Sequence, residues 1–89
     1  MYEVYILFSK KYNKTYVGFT NNLSKRVKSH NLGRVSYTKR YRPWEVIYTE
    51  KLSNYYFAQK REKYFKSGAG RRKLHLIIDN WRKKKALLE

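Results

Sequence analysis

Residues 16–31 read Tyr16-Val17-Gly18-Phe19-Thr20-Asn21-Asn22-Leu23-Ser24-Lys25-Arg26-Val27-Lys28-Ser29-His30-Asn31, a passage from strand to helix across one short cap. The β-branched and aromatic side chains from Thr15 to Thr20 predict a strand. Asn21 or Asn22 can cap the helix that follows, because a short amide side chain accepts from the free N–H groups of a first turn. Within that helix Leu23 and Val27 share one face at i, i+4, and Arg26 and His30 share another. Gly33 fits a helix stop. Gly18 weakens the strand it sits in, which marks a bulge or a place where another group comes close.

On the N-terminal side, residues 2–8 (Tyr-Glu-Val-Tyr-Ile-Leu-Phe) predict another strand, and residues 10–13 a turn, so the chain opens with a hairpin. Cross-strand partners share a face. Tyr5 and Tyr16 therefore lie on one face only if paired residue numbers sum to an odd value, as they do when Ser9 pairs with Lys14. On the C-terminal side, residues 33–43 read as a basic loop in which Arg34, Lys39, Arg40 and Arg42 alternate with Tyr37 and Tyr41. A third strand is expected at 44–51. Ser53 or Asn54 caps a helix to about Ser67, and Gly68-Ala69-Gly70 is expected to break it. A last helix from about Arg71 to Lys84 carries Leu74, Ile77, Ile78 and Trp81 as a core stripe. The order β-β-α-β-α-α predicts a small antiparallel or mixed sheet with helices packed on it, of α/β (α+β) class.

The chain has 89 residues, which is one domain spanning 1–89. The closing Leu88-Glu89 is compatible with a vector remnant and carries no weight. Lys and Arg number 22 against 6 Asp and Glu, a net charge of +16. Each half, 1–45 and 46–89, carries +8, so the charge belongs to the folded body. A domain of this charge implies a polyanionic partner. There is no cysteine, which excludes a disulfide framework and thiolate-bound metal, and two histidines cannot build a His-rich site. No apolar run is long enough to span a membrane, and the first residues lack the pattern of a signal peptide, so a cytoplasmic location is the expectation.

Glu62 departs from this background. Tyr55, Ala58, Glu62 and Phe65 fall on one helix face, which should be apolar. One reading is an exposed Glu62–Lys66 pair at i, i+4. The other is a carboxylate in a basic cleft, where a divalent cation lets it approach phosphate. Arg26 and His30 have the same two readings, a solvated face or a phosphate clamp.

The ordered set Glu3-Val4-Tyr5, Tyr16-Val17-Gly18, Arg26, His30 and Glu62 resembles the GIY-YIG nuclease superfamily, which includes the nuclease domain of the excision-repair protein UvrC. Ten residues separate Tyr5 from Tyr16. The resemblance extends through Tyr37-Thr38-Lys39-Arg40, Pro43-Trp44, Arg61-Glu62 and Lys66 to about residue 80. Glu3 and Val4 stand where the first motif has glycine and isoleucine. The resemblance implies a three-stranded antiparallel sheet flanked by helices. It also implies hydrolysis of a DNA phosphodiester with one Mg²⁺ or Mn²⁺, in repair or other DNA processing. On that reading Glu62 is the sole protein ligand of the metal, and Arg26 stabilises charge on the phosphoryl oxygens. Tyr5 or Tyr16 is the general base, and His30 orients water or contacts phosphate. Lys14, Lys25, Lys28, Lys39, Arg40 and Arg42 hold the nucleic acid, DNA or RNA. Free tyrosine titrates near ~10, so a tyrosine base needs nearby cations. The competing expectation is a non-catalytic nucleic-acid-binding module that keeps the fold and the charge; a membrane-surface role is weaker, because the thin core needs the last helix's apolar stripe. Oligomeric state is open.

Overall fold

A computed structural model describes residues 1–88. Strands β1 (Tyr2–Ser9) and β2 (Lys14–Thr20) form the expected hairpin, and β3 (Glu45–Leu52) pairs on the other side of β1, giving an antiparallel sheet in the order β2-β1-β3. Ser9 pairs with Lys14 and Tyr5 with Gly18, so Tyr5 and Tyr16 lie on the same face.

Because β1 is central, both of its faces are covered. Val4, Ile6 and Phe8 pack with Ala58, Phe65, Leu74 and Ile78, while Tyr5 and Leu7 pack with Trp44, Leu23 and Val27. The period-2 alternation of a strand thus sorts β1 between two helical layers. One layer is α1 (Leu23–Asn31) and a short α2 (Ser36–Lys39); the other is α3 (Tyr55–Lys66) and α4 (Gly68–Leu88). A bulge between Ile6 and Leu7 leaves Ile47 unpaired on β3, and it lets the adjacent Ile47 and Tyr48 both pack toward the second layer.

Two caps match expectation. The Asn22 side chain accepts from Lys25 N at 3.1 Å, and Asn54 from Phe57 N at 3.0 Å. Two expectations are corrected. The basic loop contains α2, whose Thr38 is held by contacts from His30 and Trp44 that a local reading does not contain. The Gly68-Ala69-Gly70 stretch opens α4 instead of ending in a loop. The break is confined to Ser67, whose hydroxyl donates to Tyr64 O at 2.6 Å and accepts from Gly70 N at 3.3 Å. Gly70 is needed for packing, because a Cβ there would sit 1.8 Å from Tyr64 O. The stripe Leu74, Ile77, Ile78, Trp81 faces the core as expected.

Candidate active site

The site begins at Gly18. A Cβ at this position would fall 2.6 Å from the Tyr5 hydroxyl oxygen and 3.1 Å from the Tyr16 ring. The glycine therefore lets the Tyr5 phenol lie across β2, toward the edge where Tyr16 stands.

Helix α1 completes the arrangement from the same side. The Tyr5 hydroxyl is 2.9 Å from His30 Nε2, and Arg26 Nε donates to the Tyr5 oxygen at 3.4 Å. His30 Nδ1 is 2.8 Å from the Thr38 hydroxyl, which in turn lies 3.4 Å from Val35 O. A carbonyl only accepts, so the Thr38 proton goes to Val35. The direction of the chain then follows: His30 Nδ1–H donates to Thr38, and Tyr5 O–H donates to His30 Nε2. Trp44 Nε1 donates to Thr38 O at 2.7 Å, and the Asn31 side chain bonds both the N–H and the C=O of Trp44. Thr38, Asn31 and Trp44 are the positioning residues that the sequence did not single out. All three lie at or beyond the end of α1, and all three fall within the stretches that carry the resemblance, which gave none of them a role.

Electrostatics follow from burial. Tyr5 is 1% exposed, and burial pushes its phenol above the ordinary tyrosine value; the nearby Tyr16 and Glu62 add to this, against the lowering by Arg26. Arg26 is held more firmly protonated, chiefly by its hydrogen bond to Tyr5. His30 has no exposed surface, and burial together with the Arg26 charge lowers it to about 4, so it is neutral near pH 7. A His30 contact to phosphate does not fit that burial; its two ring nitrogens face Tyr5 and Thr38.

Glu62 approaches from the other helical layer. Its carboxylate charge opposes ionisation of Tyr5, which puts it in the same electrostatic neighbourhood. Lys66 Nζ lies 3.5 Å from Glu62 Oε1, as the plain i, i+4 reading expects. The pair does not seal the site, since the Lys66 side chain is 55% exposed against 20% for Glu62. A small cavity of about 140 Å³ at the β2 edge is walled by Tyr16 and Tyr37 on one side and by Phe65, Lys66, Arg71 and Leu74 on the other. The two layers thus meet around this edge.

Among the basic residues, Lys25 shares a surface cleft with Arg26 and Ser29. Lys39, Arg40 and Arg42 line a second cleft with Tyr12 and Asn31, and Lys14 lies over the Tyr41 ring at 5.4 Å. Lys28 is separate, in a groove with Glu3 and Val46 on the far flank of α1. That groove also shows why a side chain is tolerated where the first motif has glycine. Arg61, beside Glu62, is occupied elsewhere: it makes a two-point pair with Glu50 at 2.7 and 2.9 Å, which holds that carboxyl below its usual range.

The family profile of the GIY-YIG catalytic domain matches residues 1–75. The chain belongs to the GIY-YIG family. Its similarity to curated proteins runs the same way. It is 45% identical to the UPF0213 protein YazA of Bacillus subtilis over 76 residues, covering 84% of this chain and 76% of that one. To a UPF0213 protein of Clostridium perfringens it is 44% identical over 78 residues, covering 86% and 83%. No solved structure gives a significant match. A GIY-YIG domain is of nuclease type, so the partner the charge implies is nucleic acid. Among the described residues no helix is long and apolar enough to cross a membrane.

GIY-YIG nucleases generally use divalent metal ions, and the donor set here can be tested against that. No group of three or more His, Cys, Asp and Glu stands together among the described residues. Lys66 is the one ion-pair partner of Glu62 among them. A lone, partly exposed carboxylate suits Mg²⁺, which keeps several waters, and does not suit a metal that demands a full protein cage. The residues fit.

Proposed function

We propose that this protein is a divalent-metal-dependent DNA endonuclease that hydrolyses phosphodiester bonds in DNA repair or processing. The observation that carries the reading is that a half-buried arginine and two tyrosines stand together beside β2, with the Glu62 carboxylate near enough to bear on Tyr5, so that four different elements contribute in a protein with few acids. Glu62 would hold Mg²⁺ or Mn²⁺. When bound, such a cation supplies positive charge to a phosphoryl oxygen and acidifies water.

The chain's own residues supply the rest. Arg26, fixed by Tyr5, offers its remaining N–H groups to the phosphoryl oxygens, where charge grows in the transition state. Tyr5 is a donor to His30, buried and raised, so it serves as the strut that aims Arg26. Tyr16 is the partly exposed tyrosine of the pair, and it is the one able to reach a water beside the substrate. That assigns it the general-base role. His30 holds Tyr5 in place through an uncharged ring. Lys25 meets the adjacent backbone, while Lys14, Lys39, Arg40 and Arg42 meet it further away.

The test is incubation of plasmid and branched DNA with pure protein in Mg²⁺ or Mn²⁺ and in EDTA. Cleavage that requires the metal is the expected result. Absence of cutting across several DNA structures, with binding intact, would instead favour a binding module in which Glu62 merely pairs with Lys66.

A further inference from the structure

Four tyrosines form a continuous line that starts at the site. The Tyr16 and Tyr37 rings are 6.3 Å apart at 27°, Tyr37 and Tyr41 are 5.3 Å apart, and Tyr41 and Tyr12 are 5.7 Å apart. They come from β2, α2, the segment after α2 and the hairpin turn, so no local sequence pattern joins them. Tyr16 and Tyr41 pack against the Tyr5–Leu7–Trp44 core. Tyr37 and Tyr12 belong to neither core cluster and remain 41% and 42% exposed. Two large aromatic rings that the thin core does not use stand open on the surface.

The charges beside them match this. Lys14 Nζ and the Arg40 guanidinium lie 5.4 and 5.8 Å from the centre of the Tyr41 ring, and Lys11 Nζ is 5.3 Å from that of Tyr12. None of these three cations has an ion-pair partner among the described residues. Aromatic faces interleaved with free cations bind a strand whose bases can stack and whose phosphates need neutralising. In a duplex the faces of the bases are already covered by their neighbours. The line is also rigidly tied to the site, since the Thr38 that His30 grips is the residue next to Tyr37.

We propose that Tyr37, Tyr41 and Tyr12 form a stacking subsite for unpaired nucleobases, so that the DNA reaching Tyr16 and Arg26 is single-stranded or carries a single-stranded flap. The subsite rests on the nuclease reading for its purpose, but it is tested without cleavage. In EDTA, binding of a single-stranded oligonucleotide containing 2-aminopurine is compared with binding of the matching duplex. Wild-type protein should bind the single strand more tightly and quench its fluorescence. Tyr37→Ala should weaken single-strand binding by about fivefold or more and relieve the quenching, with duplex binding unchanged. Tyr37→Phe, which keeps the ring, should behave as wild type and rules out misfolding as the cause. Equal losses for single strand and duplex, or no loss in Tyr37→Ala, would overturn the subsite. The two readings fail separately: quenching without metal-dependent cutting removes the nuclease and leaves the subsite.

Discussion

At the residue scale, His30 shows how a side chain that no substrate can reach still shapes a site. It is neutral, it accepts from Tyr5, and it ties α1 to α2 through Thr38. Its depressed value has a consequence for stability. Unfolded histidine titrates near ~6.5 and the folded one at about 4, so between these values the unfolded chain binds the extra proton. Stability from this group is fully present above the unfolded value and is lost as pH falls toward the folded one. Urea denaturation should show a loss of about 2 kcal/mol between pH 7 and pH 5. In His30→Gln that slope should flatten, and an unchanged slope would mean that His30 is not buried neutral. Glu62 is the opposite kind of residue: its role turns on which cation it meets, and spacing alone could not choose between Lys66 and a metal.

At the element scale, the strands, the capped helices and the core stripe of α4 were legible because each is written in local periodicity and cap chemistry. The shared face of Tyr5 and Tyr16 followed from turn length alone. What escaped the sequence depends on contacts between distant segments. Helix α2 is short and held by His30 and Trp44. The Gly68-Ala69-Gly70 stretch looks like a helix breaker until α3 is placed beside it. Gly70 separates these views by sign. Helix propensity alone predicts that Gly70→Ala gains about 0.5–1 kcal/mol. The Cβ that would sit 1.8 Å from Tyr64 O predicts a net loss, about 1–3 kcal/mol, because backbone cannot swing aside. Thermal melting of the variant decides between them. In the candidate site, the tyrosines, Arg26 and Glu62 were legible as a pattern, whereas the positioning residues Thr38, Asn31 and Trp44 were not, since their work is done across the fold.

At the scale of the whole molecule, +16 on 89 residues sets long-range attraction to a polyanion but assigns no chemistry. DNA affinity should fall steeply and linearly in log–log form with added salt, and Lys25→Ala should lower that slope by about one if Lys25 contacts a phosphate. A slope unaffected by the substitution would move the path of the DNA away from Arg26. The central claim is narrower than charge: a carboxylate in a basic cleft turns a binder into a nuclease. It is tested most directly by measuring single-turnover DNA cleavage in Mg²⁺ or Mn²⁺ for wild type and Glu62→Gln, with affinity measured in parallel. Cutting should fall by at least about 100-fold while binding holds or tightens slightly, because one negative charge has gone. Glu62→Gln cutting at the wild-type rate would contradict the account.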